Sequence, residues 1–194
     1  DDIKHPFKSG NVLIQIIVVN IAVFLVFNLI RLGLFFSGYT GDVLSVKFHE
    51  LIKSVAMPMK AHEFIYKPWT LITYFFAQVE VGHIFFNLLI LYFFGTIVQS
   101  FVGFSRTLAI YFYSGVVGGL LTILLHSTVP VLYDDASILI GASGSVMGIV
   151  IAAATLAPDK RIMIFFLGEI KLIYIALFYV IIDLIGLTYI DGVG

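Results

Sequence analysis

The stretch Gly141-Ala142-Ser143-Gly144 places a serine between glycines, at the start of an apolar run that ends near Pro158. A serine hydroxyl can act as a nucleophile in acyl transfer when hydrogen-bond donors face the oxyanion that develops. A helix that begins here offers free backbone N–H groups and the positive end of its dipole. Ser143 alone also fits simple helix packing, since small residues are common at membrane helix contacts.

A pair of polar residues lies on an apolar run upstream of this serine. His83 and Asn87 are four residues apart, so a helix would present them on one face. Both side chains can donate hydrogen bonds to an oxyanion. The pair alone also fits a structural role, bonded to backbone carbonyls or to a neighbouring helix.

The composition indicates an integral membrane protein in a lipid bilayer. Hydrophobic residues make up 60% of the chain and charged residues 12%, and the mean hydropathy is +1.07. A net charge of -1 provides no basic surface for nucleic acid, so no nucleic-acid partner is expected. The absence of cysteine excludes disulfides, thiolate catalysis and thiolate metal sites, and it fits a bacterial membrane protein.

Five apolar runs predict five transmembrane helices in a single all-α, polytopic membrane helix bundle that covers residues 1–194. Small residues at four-residue spacing on the third and fourth runs predict close helix contacts. The predicted spans are 12–30, 83–101, 107–125, 141–157 and 172–190, and the small residues are Gly115, Gly119, Gly144, Gly148 and Ala152.

The segments between the spans predict the orientation. Residues 1–10 are polar, and residues 38–68 mix four lysines with apolar side chains, which is typical of an interfacial loop. Trp69, Tyr74, Phe75 and Phe76 would suit an aromatic belt at the membrane surface. Six of the eleven Lys and Arg residues fall on one side if the N-terminus is cytoplasmic, although Arg31 and the four lysines of 38–68 do not follow this rule.

The sequence resembles the rhomboid intramembrane serine proteases. The matching motifs are GxSG at 141–144 and HxxxN at 83–87, preceded by a similar stretch at 67–74 and followed by a softer match at 183–186. The resemblance implies that Ser143 is the nucleophile and that His83, Asn87 and the Ser143 backbone N–H form the oxyanion hole. It also implies cleavage of transmembrane protein substrates in or next to their helices, without metal or cofactor, here in a bacterial cytoplasmic (inner) membrane.

The sequence departs from the family pattern in two ways. Gln78 stands where many rhomboids carry a further histidine, and a changed handling of water is expected from this exchange. The general-base histidine of the family lies in a sixth helix, which is expected beyond Gly194. The first residue, Asp1, also suggests that the chain has been trimmed.

Other functions remain open at this stage. The main alternative is a five-helix rhomboid-like pseudoprotease that binds transmembrane clients without cutting them. A transporter or channel would need rows of charged residues in its spans, whereas Asp183 is the only acidic residue within one. A purely structural bundle leaves the set of Ser143, His83 and Asn87 unexplained.

Overall fold

A computed structural model describes residues 12–129, 138–164 and 168–186. Within these residues the chain is mostly helical, with two small two-stranded sheets. The helices are α1 (Val12–Phe36), α2 (Gly41–Ile52), α3 (Ala61–Ile65), α4 (Thr70–Thr73), α5 (Val81–Val102), α6 (Phe104–Thr128), α7 (Ser143–Leu156) and α8 (Leu172–Gly186), and the strands are β1 (Met57–Pro58), β2 (Ile138–Leu139), β3 (Arg161–Ile164) and β4 (Gly168–Lys171).

The prediction of an all-α membrane bundle is confirmed. Among the described residues, α1, α5 and α6 are long and apolar enough to cross a membrane, and α7 and α8 are shorter apolar helices. The five predicted spans fall on these five helices. Residues 187–190 of the fifth predicted span lie outside the described residues, as do the N-terminal segment 1–10 and most of the loop before β2.

Helix α1 continues beyond the predicted end at residue 30. Arg31 lies within the helix, and its guanidinium carbon is 5.5 Å from the centre of the Phe48 ring on α2. This cation–π contact stabilises the charge of Arg31, so the helix can continue past this residue. The helix ends at Phe36, before Gly38, whose φ of 91° is readily adopted by glycine.

The predicted interfacial segment, 38–68, contains α2, β1 and α3. Phe48, Ile52 and Ala56 form a small buried cluster, while the side chains of Val43 and Val46 on α2 are exposed. Strand β1 pairs antiparallel with β2, so that Met57 lies opposite Leu139. This pairing fixes the segment to the residues immediately before Gly141. Its location at a membrane surface stays a prediction.

Helix α7 lies at the centre of the bundle and packs against α5, α6 and α8. Close contacts with α6 depend on glycines. A Cβ atom placed on Gly115 of α6 would overlap the Ser145 side chain of α7, and one placed on Gly148 of α7 would overlap the Ser114 side chain of α6. The predicted close packing of small residues is therefore present. Six residues of α7 are buried, namely Ser145, Val146, Ile149, Val150, Ala153 and Ala154.

The chain between α7 and α8 forms a β-hairpin that the sequence analysis did not predict. Strands β3 and β4 pair antiparallel, with Arg161 opposite Lys171. Next to the hairpin, the Lys171 Nζ lies 2.6 Å from the Asp159 Oδ1, and both side chains are exposed. The ammonium group donates a hydrogen bond to the carboxylate and so lowers the pKa of Asp159 below its usual value.

Candidate active site

Ser143 is the first residue of α7 and is partly buried. The chain reaches it through Gly141, whose φ of 114° is unfavourable for any residue with a Cβ atom. The residue before the helix is Ala142, which has no polar side chain to cap the helix. The first backbone N–H groups of α7, including that of Ser143, therefore donate no hydrogen bond to a capping side chain.

Tyr74 holds the start of α7 in place. Its carbonyl oxygen accepts a hydrogen bond from the Gly141 N–H at 2.9 Å, and its hydroxyl donates to the Gly115 carbonyl oxygen on α6 at 2.6 Å. A Cβ atom on Gly144 would lie 3.6 Å from the Tyr74 hydroxyl oxygen, which is ordinary van der Waals contact, so the first turn of α7 packs directly beside this hydroxyl. One side chain and its backbone thereby connect the serine segment to α6.

The assignment of this aromatic segment to a surface belt is wrong for two of its members. Tyr74 and Phe75 are 2% and 0% exposed, whereas Trp69 is 54% exposed. Phe75 packs edge-on against Tyr111 and Phe112 of α6. The sequence could not distinguish a ring in the core from one at the membrane surface, because both sites favour aromatic residues.

The structure brings His83 to the serine segment. His83 lies in the first turn of α5, and its imidazole ring lies against Gly141. A Cβ atom built on Gly141 would be 3.2 Å from the His83 Cε1 and 3.7 Å from the Nε2. Glycine is therefore suited to this position both by its φ and by the space that the imidazole occupies.

Asn87 lies one turn further along α5 and is 3% exposed. Its side-chain nitrogen donates to the Gln78 Oε1 at 2.8 Å, and the Gln78 Nε2 donates to the Asn20 Oδ1 at 2.9 Å. Gln78 thus connects α5 to α1. Asn20 was not identified from the sequence, although an asparagine within a long apolar run is the kind of polar residue that calls for an explanation.

The other histidines lie on different elements. His49 is on α2, His62 is on α3, and His126 is buried in the last turn of α6, while His5 falls outside the described residues. Within 12–129, 138–164 and 168–186, no group of three His, Asp or Glu side chains is arranged to hold a metal ion.

Comparison with known families agrees with the fold and with the motifs. The family model of the Rhomboid domain matches residues 66–193, which include both HxxxN and GxSG. A search among curated proteins finds no significant match. The family match covers more than half of the chain, including Tyr74, His83 and Ser143, and it confirms the resemblance seen in the sequence. The protein is an integral membrane protein and belongs to the rhomboid family.

Proposed function

We propose that the protein is an intramembrane serine endopeptidase that hydrolyses peptide bonds in or next to the transmembrane helices of other membrane proteins. Ser143 is the nucleophile in this proposal. His83, Asn87 and the Ser143 backbone N–H form the oxyanion hole, and Gly141 and Gly144 allow the surrounding groups to approach. The orientation with a cytoplasmic N-terminus and the location in a bacterial inner membrane are part of the same proposal.

The contact between the His83 ring and Gly141 carries the proposal. It places an imidazole two residues before the first residue of α7, at the end of the helix where the dipole is positive. His83 is an exposed residue, so its ring lies against Gly141 and also remains accessible to a substrate. A donor facing the start of α7 is what a developing oxyanion requires.

The reaction proceeds in two stages. The Ser143 oxygen bonds to the scissile carbonyl carbon as its proton passes to a general base, and the oxyanion accepts hydrogen bonds from the donors named above. The C–N bond then breaks, the amine leaves with a proton, and water hydrolyses the acyl-enzyme. The family resemblance assigns the base to a histidine in a sixth helix. Substrate helices with Gly or Pro should be preferred, since these residues weaken a helix and so help to expose the scissile carbonyl.

The test compares cleavage of a model transmembrane substrate by the natural-length protein and by two serine variants, all in detergent. Ser143→Ala should abolish cleavage, because it removes the nucleophile. Ser145→Ala is the matched control. It lies on the same helix, and its buried hydroxyl lies beside Tyr111 of α6, away from the residues assigned to the reaction, so the small change to alanine should be tolerated.

The outcomes separate the candidate functions. Cleavage by the wild type and by Ser145→Ala, but not by Ser143→Ala, supports the protease. Equal cleavage by Ser143→Ala overturns it. Substrate that is bound by all three proteins and cut by none favours the pseudoprotease. A chelator such as EDTA should leave cleavage unchanged, because the proposed mechanism uses no metal ion.

The oxyanion hole is tested separately. His83→Ala and Asn87→Ala should each lower kcat on the order of 10²–10³-fold, with little change in KM, because the donors act mainly on the transition state. Binding of the uncleaved substrate to Ser143→Ala provides the reference for ground-state affinity. Unchanged cleavage in both alanine variants would contradict the assignment.

A further inference from the structure

A line of three carboxamide side chains runs from α1 to the oxyanion residue Asn87. Asn20 lies on α1, Gln78 lies just before α5, and both are almost fully buried, at 0% and 1% exposure. Asn20 donates to the Ile16 carbonyl oxygen at 2.9 Å, and its nitrogen also lies 3.4 Å from the Tyr111 hydroxyl oxygen on α6. We call Asn20, Gln78 and Asn87 the amide relay.

The chemistry of amides gives this relay one direction. A carboxamide oxygen only accepts hydrogen bonds, and its NH₂ group only donates them. The backbone carbonyl of Ile16 can only accept, so the atom of Asn20 beside it must be the nitrogen. The Asn20 oxygen then faces Gln78, which must present its nitrogen, and the oxygen of Gln78 is left to face Asn87.

The orientation of the Asn87 amide, at the end of the relay, is therefore determined. Asn87 has to present its NH₂ group to the Gln78 oxygen at 2.8 Å, because the reverse orientation would place two oxygens together. One of its two N–H bonds is used in this contact, and the second projects from the same nitrogen. Since the site is buried, a rotated amide would leave unpaired polar groups away from water, which is costly.

We propose that Asn20 and Gln78 are positioning residues, which hold the Asn87 amide with an N–H directed to the oxyanion. This inference rests on the proposed function, in which Asn87 belongs to the oxyanion hole. It extends that function, because the Ile16 carbonyl on α1 then determines, through Asn20 and Gln78, how the Asn87 amide on α5 is oriented. Neither Asn20 nor Gln78 needs to touch the substrate.

Helix α1 contains a matched control for Asn20. Asn28 makes the same local hydrogen bond, from its side-chain nitrogen to the Phe24 carbonyl oxygen at 3.0 Å. Its side chain makes no hydrogen bond to another helix within the described residues. The substitution Asn28→Leu therefore removes the local bond of an α1 asparagine without affecting the relay.

The test is a double-mutant cycle on substrate cleavage. Asn20→Leu should lower kcat by about tenfold to a hundredfold with KM unchanged, because a misplaced catalytic group slows the chemical step. The same substitution in an Asn87→Ala background should have almost no further effect, since the group that the relay positions is gone. Asn28→Leu should leave kcat unchanged in both backgrounds. Equal losses from Asn20→Leu in both backgrounds would overturn the inference.

A second variant tests the relay independently, in case Asn20→Leu does not fold. Gln78→Met removes the central amide at similar side-chain length and leaves α1 intact, and it should show the same dependence on Asn87. The proposed function fails on its own if the wild type does not cleave or if Ser143→Ala cleaves equally. In that case the relay is tested through the ¹⁵N–¹H signals of the Asn87 side-chain amide. These signals should shift in Gln78→Met and Asn20→Leu but not in Asn28→Leu, and unshifted signals would overturn the relay.

Discussion

The two ends of α7 lie in contrasting surroundings. At the N-terminal end, Gly141 bonds to the Tyr74 carbonyl and lies against the His83 ring, and Gly144 lies against Gly118 of α6. At the C-terminal end, Leu156 is partly exposed, and the chain passes into a hairpin beside the exposed pair of Asp159 and Lys171. The N-terminal end of α7 is thus held by close backbone contacts, whereas its C-terminal end is surrounded by exposed side chains.

This difference indicates where the molecule tolerates change. At Gly141 and Gly148 an added carbon would lie too close to its neighbours, because protein interiors are densely packed. Exposed ion pairs contribute little, because water and salt screen the charges. We therefore expect sensitivity to substitution to be high in the first half of α7 and to fall towards the hairpin.

The largest effect on stability is expected at Gly148. In Gly148→Ala the new Cβ would overlap the Ser114 Cβ, so the backbones of α6 and α7 must separate. Such overpacking costs about 1–3 kcal/mol of unfolding free energy. The control is Gly33→Ala on α1, where a Cβ meets nothing within 4 Å and helix propensity improves. Thermal unfolding in detergent measures both, and equal stability of the two variants would remove the contrast.

The next effect is expected at Gly141 and concerns activity. Gly141→Ala combines an unfavourable φ with a Cβ 3.2 Å from the His83 ring. Gly38→Ala is a matched control, because its φ is 91° but a Cβ there meets nothing within 4 Å. Both should lose about 1–3 kcal/mol of stability. Only Gly141→Ala should lose cleavage, by about tenfold or more, because it displaces His83. Full activity in this variant would contradict the assigned role of the contact.

The smallest effect is expected at the C-terminal end. Asp159→Asn should leave the unfolding midpoint and cleavage unchanged near neutral pH, because its ion pair with Lys171 is exposed and contributes little to stability. Because Lys171 lowers the pKa of Asp159 from 3.8, any stabilisation by the pair is complete above that pH and is lost only as the pH falls through the lower value of the folded protein. Unfolding measured from about pH 6 to 8 should therefore give parallel curves for variant and wild type. A clear loss would show that this end is as constrained as the other.

The sequence predicts the helices well and their contacts only in part. Apolar runs bounded by Gly, Pro and charged residues mark the five helices, because the membrane imposes length and composition on each one. The hairpin of β3 and β4 was missed, since two four-residue strands give a weak signal beside so many apolar residues. Pairing between β1 and β2 could not be predicted, because it joins segments that are distant in the chain.

The candidate site shows the same division. The motifs identified Ser143, His83 and Asn87, and the structure shows His83 lying against the segment that precedes Ser143. Tyr74 and Asn20 were not identified as members of the site. Their roles depend on a backbone carbonyl and on a neighbouring amide that only the folded chain brings within hydrogen-bond distance.

The pairing of β1 with β2 also constrains the order of assembly. Strand β1 is synthesised early, whereas its partner β2 follows only after α5 and α6. Because the two strands are separated by α5 and α6, β1 cannot pair with β2 until both of these helices have been synthesised. The Ser143 segment follows directly after β2, so it is completed in the same late step. A nascent chain would therefore carry no assembled nucleophile until most of its bundle is in place.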